Sequence, residues 1–316
     1  MGASVTTTLT KRRAAKQKRW ESPIAGYLFI SPWLIGFLGL TLYPMILSLY
    51  YSFTDFSLLE KANWVGLRNY EKIFTTDTKF YGSVKVTFMY VLGSVPLRLI
   101  AALFIAMLLT KSIKGMSAYR TMIYFPSLIG GSIAVSILWK NIFGKDGYIN
   151  HIFSFFGIEG SGWVTSPNTA LGTLVLLVVW QFGSAMVIFL AGLKQIPQDL
   201  YEASSVDGAS KARQFFAITL PMLSPTIYFN LVMGIIGSFQ MFTPAMIITD
   251  RGGPMNSTYV YSLYLYDRAF GQFQMGYASG LAWIMLLIIA ASTAFIFLTS
   301  KYWVFYESEG GRRNDK

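Results

Sequence analysis

This chain has 316 residues, 53% of them hydrophobic and only 13% charged, where a soluble domain usually carries about 25% charged residues. That depletion, with a mean hydropathy of +0.47, indicates an all-α polytopic membrane protein. The absence of cysteine excludes a disulfide framework and thiolate chemistry. The single histidine, His151, gives no basis for a histidine-based metal site.

The chain begins with a basic stretch, residues 1–23, in which Lys11, Arg12, Arg13, Lys16, Lys18 and Arg19 face one acid, Glu21. The apolar run behind it, Ile24–Phe53, is too long for a secretion signal, and no small-residue cleavage site follows. A retained cytoplasmic tail is expected. Six segments are long and apolar enough to cross a bilayer, which takes roughly 20 residues each. They are Ile24–Phe53, Val84–Thr110, Thr121–Phe143, Asn168–Leu193, Ala217–Ile248 and Gly276–Ser300. Several hold Pro or Gly, so tilts and kinks are expected. Gly183, Gly234 and Gly237 would allow close helix approach. Residues 24–304 then form one transmembrane domain, and 305–316 a second cytoplasmic tail.

The loops orient the spans. On one side lie the basic tail, Lys111, Lys114, Arg120, Lys194, Lys211, Arg213, Lys301, Arg312, Arg313 and Lys316, sixteen Lys/Arg in all. The other side has nine: seven in the longer loops Thr54–Ser83, Gly144–Pro167 and Thr249–Met275, and Lys85 and Lys140 at the outer edges of their spans. Positive charge accumulates on the cytoplasmic side, so both termini and the 194–216 loop are expected there. This placement also explains the net charge of +11 without invoking nucleic acid.

That loop is the one long polar stretch between charge-free spans. Pro197 can open a short helix at its first position, with Leu200, Ala203 and Val206 on one weakly apolar face. Gly208 suits a C-terminal stop, and Ser210 can cap a second helix. Two short helices meeting at Asp207-Gly208 are predicted. The order Glu202-Ala203, Gly208, Ile218-x-Leu220-Pro221 resembles the EAA loop of ABC importer permeases. The wider run Gln195-Ile196-Pro197, Tyr201-Glu202-Ala203, Asp207-Gly208-Ala209, Leu220-Pro221 is similar to the carbohydrate-uptake, maltose-type branch. Ser204 stands where that motif has Ala. The element Trp64-Val65-Gly66-Leu67-Arg68-Asn69-Tyr70, the turn Thr249-x-x-Gly252-Gly253-Pro254, Ala269-Phe270 and Gly276-Tyr277-Ala278-Ser279 extend the likeness over most of residues 22–305. The large extra periplasmic domain of the best-known maltose permease is missing.

The resemblance implies a multi-pass subunit of the bacterial cytoplasmic membrane, importing sugars or oligosaccharides. Tyr201, Glu202, Ala203, Ser204, Asp207, Gly208, Ala209 and Pro221 would couple it to an ATPase. The implied partners are a homologous second permease, two ABC ATPase subunits that carry the ATP and Mg, and an extracytoplasmic solute-binding protein met by short loops. The residues agree in what they lack. The chain has no GxxxxGK[ST] loop and no catalytic constellation. No Asp or Glu falls within a span, whereas ion-coupled carriers usually keep ionisable groups at depth. A secondary carrier and a non-transporting scaffold remain the alternatives of other classes.

Within the spans, sugar-binding groups would be aromatic faces and hydrogen-bonding side chains: Tyr124, Trp180, Gln181, Asn230, Ser238, Phe239 and Gln240. Ordinary helix packing would use the same residue types. Arg98 lies about twelve residues, roughly 18 Å, from the inner end of its span. It is either a structural arginine bonded to backbone carbonyls or a path-lining cation that favours an acidic or phosphorylated substrate, as in an importer of glycerol-phosphate or acidic saccharides. Pro221 and Pro225 are expected to bend the fifth span where it leaves the coupling loop.

Overall fold

A computed structural model describes residues 23–58, 60–110 and 115–305. The basic tail through residue 22, Lys111, Lys114 and the C-terminal tail from 306, with Arg312, Arg313 and Lys316, lie outside the described residues. Among those described, the fold is helical, and the only β-pairing is an isolated bridge between Thr54 and Trp64.

Helices α1 (Pro23–Gly36) and α2 (Tyr43–Ser52) run into each other through a π-helical turn at Phe37–Leu42. The Trp64–Tyr70 element anchors the end of α2 and leads into α3 (Arg68–Thr75). Asn69 donates from Nδ2 to the carbonyls of Ser52 and Thr54, both at 2.8 Å, and Tyr70 Oη donates to Ser52 Oγ at 2.8 Å. Helix α4 (Thr78–Leu108) is the axis of the molecule and packs on four later helices. It starts at Thr78 rather than at the expected Val84, because the Asp77 carboxylate accepts from the amides of Lys79 and Phe80 and caps the first turn.

The third and fourth predicted spans are each two helices with a sharp bend between them. Helices α5 (Met116–Ile129) and α6 (Ile133–Ile142) meet at 99°. Helices α8 (Ala170–Trp180) and α9 (Gly183–Gln195) meet at 44°, with the short α7 (Tyr148–Phe155) before them. The two breaks satisfy each other. Gln181 Nε2 donates to the Gly130 carbonyl at 3.0 Å, and Ser127 Oγ donates to the Gln181 carbonyl at 3.1 Å and accepts from Ser184 N at 3.2 Å. Glycine is required on both sides of this junction. A Cβ at Gly130 would strike the Gln181 side chain, and one at Gly183 would strike Ser127 and Tyr124.

The polar loop holds α10 (Gln198–Val206) and α11 (Lys211–Gln214). A π-helical Phe215–Thr219 and a turn at Leu220–Met222 lead into α12 (Ser224–Phe239), and a non-helical step precedes α13 (Thr243–Ile247). The short α14 (Tyr261–Tyr266) and the final α15 (Met275–Trp303) complete the fold. Four helices, or up to six if each bent pair is one span, are long and apolar enough to cross a membrane. Gly183 packs as expected and Gly234 lies against Val95, but Gly237 has open space where a Cβ would stand.

Candidate functional site

Helix α10 begins one residue later than the sequence suggests: Pro197 is its N-cap, and Gln198 its first residue. It stops at Gly208, whose φ of +78° is costly for any side chain. There Ala209 N donates to the Ser204 carbonyl at 2.9 Å and Gly208 N to that of Ser205 at 3.1 Å, the crossed pair of a Schellman stop. Ser210 Oγ accepts from Arg213 N at 3.3 Å and caps α11. One side of α10 is bound to the chain: Tyr201 meets Thr219 hydroxyl to hydroxyl at 2.8 Å. The other side is open. Glu202, Ala203 and Asp207 are exposed, and the apolar Leu200 and Val206 are 41% and 88% accessible.

Gln214, which the motif reading passed over, organises this corner. It is 3% exposed, and its Nε2 reaches the Tyr201 carbonyl (3.2 Å), Ser204 Oγ (2.9 Å) and Ser205 Oγ (2.8 Å). Pro225 has no amide for the Pro221 carbonyl. Ser224 Oγ donates there instead at 2.6 Å and accepts from Phe305 N at 2.8 Å, which ties in the end of α15.

The path candidates fall into two groups. Tyr124, Trp180 and Gln181 surround the paired breaks: the Tyr124 backbone lies against Gly183, Gln181 holds Gly130, and Trp180 lies 5.6 Å from Trp139. Ser238, Phe239 and Gln240 end α12 beside α4. Ser94 Oγ donates to Ser238 Oγ at 3.4 Å, Phe239 is 3% exposed and meets Phe88 edge-on, and Gln240 is exposed. Asn230, buried in mid-helix, donates to the Thr226 carbonyl at 3.0 Å. Tyr90, Ser94 and Arg98 share one face of α4, four residues apart. Among the described residues, the Arg98 guanidinium makes no hydrogen bond, and its Nε is buried without a partner.

At the opposite end of α4, the Asp77 carboxylate is the centre of a buried knot. Its Oδ2 accepts from Tyr264 Oη, from Tyr277 Oη and from Arg268 Nη2 at 2.9 Å, and its Oδ1 accepts from Lys79 N at 3.1 Å. Burial opposes ionisation, yet the tyrosine hydroxyls and the Arg268 charge hold its carboxyl below the usual range. Burial, with its hydrogen bond to Asp77, pushes Tyr264 up to about 12. Arg268 comes from a π-helical turn, Asp267–Gly271, and its cation lies over the Tyr264 and Tyr277 rings. An Asp preceding an apolar helical run is a readable cap signal, but its partners lie 187 to 200 residues away. Beside the knot, the Thr249–Pro254 turn carries Asp250 and Arg251 at positive φ and borders a cavity of about 910 Å³ that also meets Lys140, Lys145 and His151.

The family described as "Binding-protein-dependent transport system inner membrane component" matches residues 78–303. The "Probable ABC transporter permease protein YesP" of Bacillus subtilis (strain 168) is 56% identical over 90% of this chain and 93% of that protein. The "Probable starch degradation products transport system permease protein AmyD" of Thermoanaerobacterium thermosulfurigenes is 33% identical over 91% of this chain and 98% of that one. A chain of a bacterial ABC transporter that imports the acidic polysaccharide alginate superposes with a TM-score of 0.77 at 21% identity, over 91% of this chain and 98% of that one. At that identity the likeness is one of fold.

Proposed function

We propose a function from one premise: this chain belongs to the family of binding-protein-dependent transport system inner membrane components. It is a multi-pass membrane permease of the ABC class. The substrate is read as a sugar or oligosaccharide. That reading is supported by relatives named for starch degradation products, arabinooligosaccharides and lactose, each matching most of the chain. Six spans with both termini in the cytoplasm fit the loop charges, and so does the bacterial cytoplasmic membrane.

The observation that carries the mechanism is α10. It is fastened along one side and leaves Leu200, Glu202 and Val206 open on the other. That open side is the surface for a cytoplasmic ABC ATPase, where ATP and Mg are bound and hydrolysed. Two such subunits and a homologous second permease complete the assembly. Nucleotide-driven closure moves α10, tilts α12 through the proline-containing turn, and opens the path outward. A solute-binding protein delivers at the end holding the 910 Å³ cavity.

Arg98 favours a second reading of substrate class. A buried, unpartnered guanidinium Nε at depth suits a carboxylate or phosphate, and so an acidic saccharide or a glycerol phosphate. The test is ATP-driven uptake in proteoliposomes containing the chain, its genomically adjacent permease, ATPases and binding protein. Neutral and uronate oligosaccharides are compared, with wild type against Arg98→Leu. Uptake of either class that requires ATP supports the function, and uptake driven by an ion gradient alone overturns it. Loss of uronate uptake alone in Arg98→Leu selects the acidic reading.

A further inference from the structure

The chain's inner corner raises a mechanical question: where does the lever end and the hinge begin? The proline-containing turn is one hinge candidate. The π-helical Phe215–Thr219 is another, since π-bulges interrupt the regular ladder and mark functional sites. Here the π segment is bridged at both ends. Before it, Gln214 Nε2 holds the Tyr201 carbonyl, Ser204 Oγ and Ser205 Oγ. At its last residue, Thr219 Oγ1 bonds Tyr201 Oη at 2.8 Å. Lys211 Nζ donates to Gln214 Oε1 at 3.1 Å, so both ends of the amide are occupied. A satisfied network around a buried amide rigidifies what it joins. Past Thr219 the bracing changes. Pro221 and Pro225 each remove an amide from the ladder, and Leu223, at the break, carries φ −84° and ψ −6°.

We propose that Gln214 is a positioning residue that, with the Tyr201–Thr219 bond, makes residues 198–219 a single rigid lever and confines bending to Leu220–Ser224. This rests on the reading of the chain as an ATP-driven permease. The function needs such a device because α10 otherwise joins α12 only through a short connector, and a push on α10 would be lost in the π segment.

The absence of cysteine makes the test direct. In the assembled importer, spin-label pairs are placed at Q198C with A217C and at Q198C with M233C. Distances are measured without nucleotide and after trapping with ATP, Mg and vanadate. The 198–217 distance is expected to stay constant, while the 198–233 distance shifts by more than about 2 Å, beyond the scale of helix slips at interfaces. Adding Gln214→Met and Thr219→Val is expected to broaden the 198–217 distribution. Uptake per ATP hydrolysed should fall about fivefold or more, with assembly yield unchanged. Gln214→Met is close to the native volume, so a loss from misfolding would lower yield and ATP hydrolysis together instead. A 198–217 distance that shifts in the unaltered lever, or stays narrow in the double variant, overturns the proposal. If neither pair responds to nucleotide, the underlying reading of an ATP-driven permease fails, and the lever with it.

Discussion

The two ends of the bundle are each fastened by a polar knot, and the knots differ in kind. At one end Asp77 is a buried carboxylate, its side chain 4% exposed, paired with Arg268 and held by two tyrosine hydroxyls and two amides. At the other, Gln214 is neutral and holds a carbonyl and two serine hydroxyls. Removing one partner of a buried ion pair leaves an uncompensated charge and costs about 3–5 kcal/mol. Removing the Gln214 amide takes one partner from several polar groups and costs about 1–3 kcal/mol. The Asp77 end is therefore the costlier of the two to open.

The largest effect should come from Asp77→Ala, with a stability loss of about 3–5 kcal/mol, read as a fall in the detergent-solubilised unfolding midpoint. A loss no larger than that of Gln214→Met would erase the contrast. Next is Gly276→Ala, at about 1–3 kcal/mol. A Cβ there would strike the Thr54 carbonyl and crowd Phe56 N, where Gly276 N now donates to the Phe56 carbonyl at 2.8 Å. An unfolding midpoint equal to wild type would show that the α2–α15 contact can yield. Gln214→Met should cost about 1–3 kcal/mol of stability, less than Asp77→Ala, while lowering uptake per ATP hydrolysed, and a proportional loss of both activities would make it merely structural. The smallest effect is in pH. Asp77 has a folded pKa below its usual value of 3.8, so its stabilisation is present above the unfolded value and is lost as pH falls through the folded one. Thermal stability of wild type and Asp77→Asn should keep a constant separation from pH 8 to about 5 and converge only below about 4. Convergence already near pH 6 would mean that Asp77 is not held ionised.

Much of the architecture was legible in residue order. Apolar length marks α4, α12 and α15 as spans. The stop at Gly208 and the cap at Ser210 follow from local backbone rules that need no distant partner. The breaks in the third and fourth spans were less so. Gly130-Gly131 hints at one, but the 99° bend exists because Gln181, 51 residues on, supplies the Gly130 carbonyl with a donor.

By itself, the amino-acid order determined that this is a helical membrane chain with a polar loop between charge-free spans. Hydropathy, caps and turn residues act over a few positions and are readable in one dimension. Only the tertiary structure decided which polar side chains are fasteners. Asp77, Arg268, Tyr264 and Tyr277 become a knot, Gln214 a brace and, among the described residues, the Arg98 Nε a buried donor without a partner, through the groups that folding brings beside them or withholds. A buried polar group takes its energy from its neighbours, and its neighbours come from distant parts of the chain.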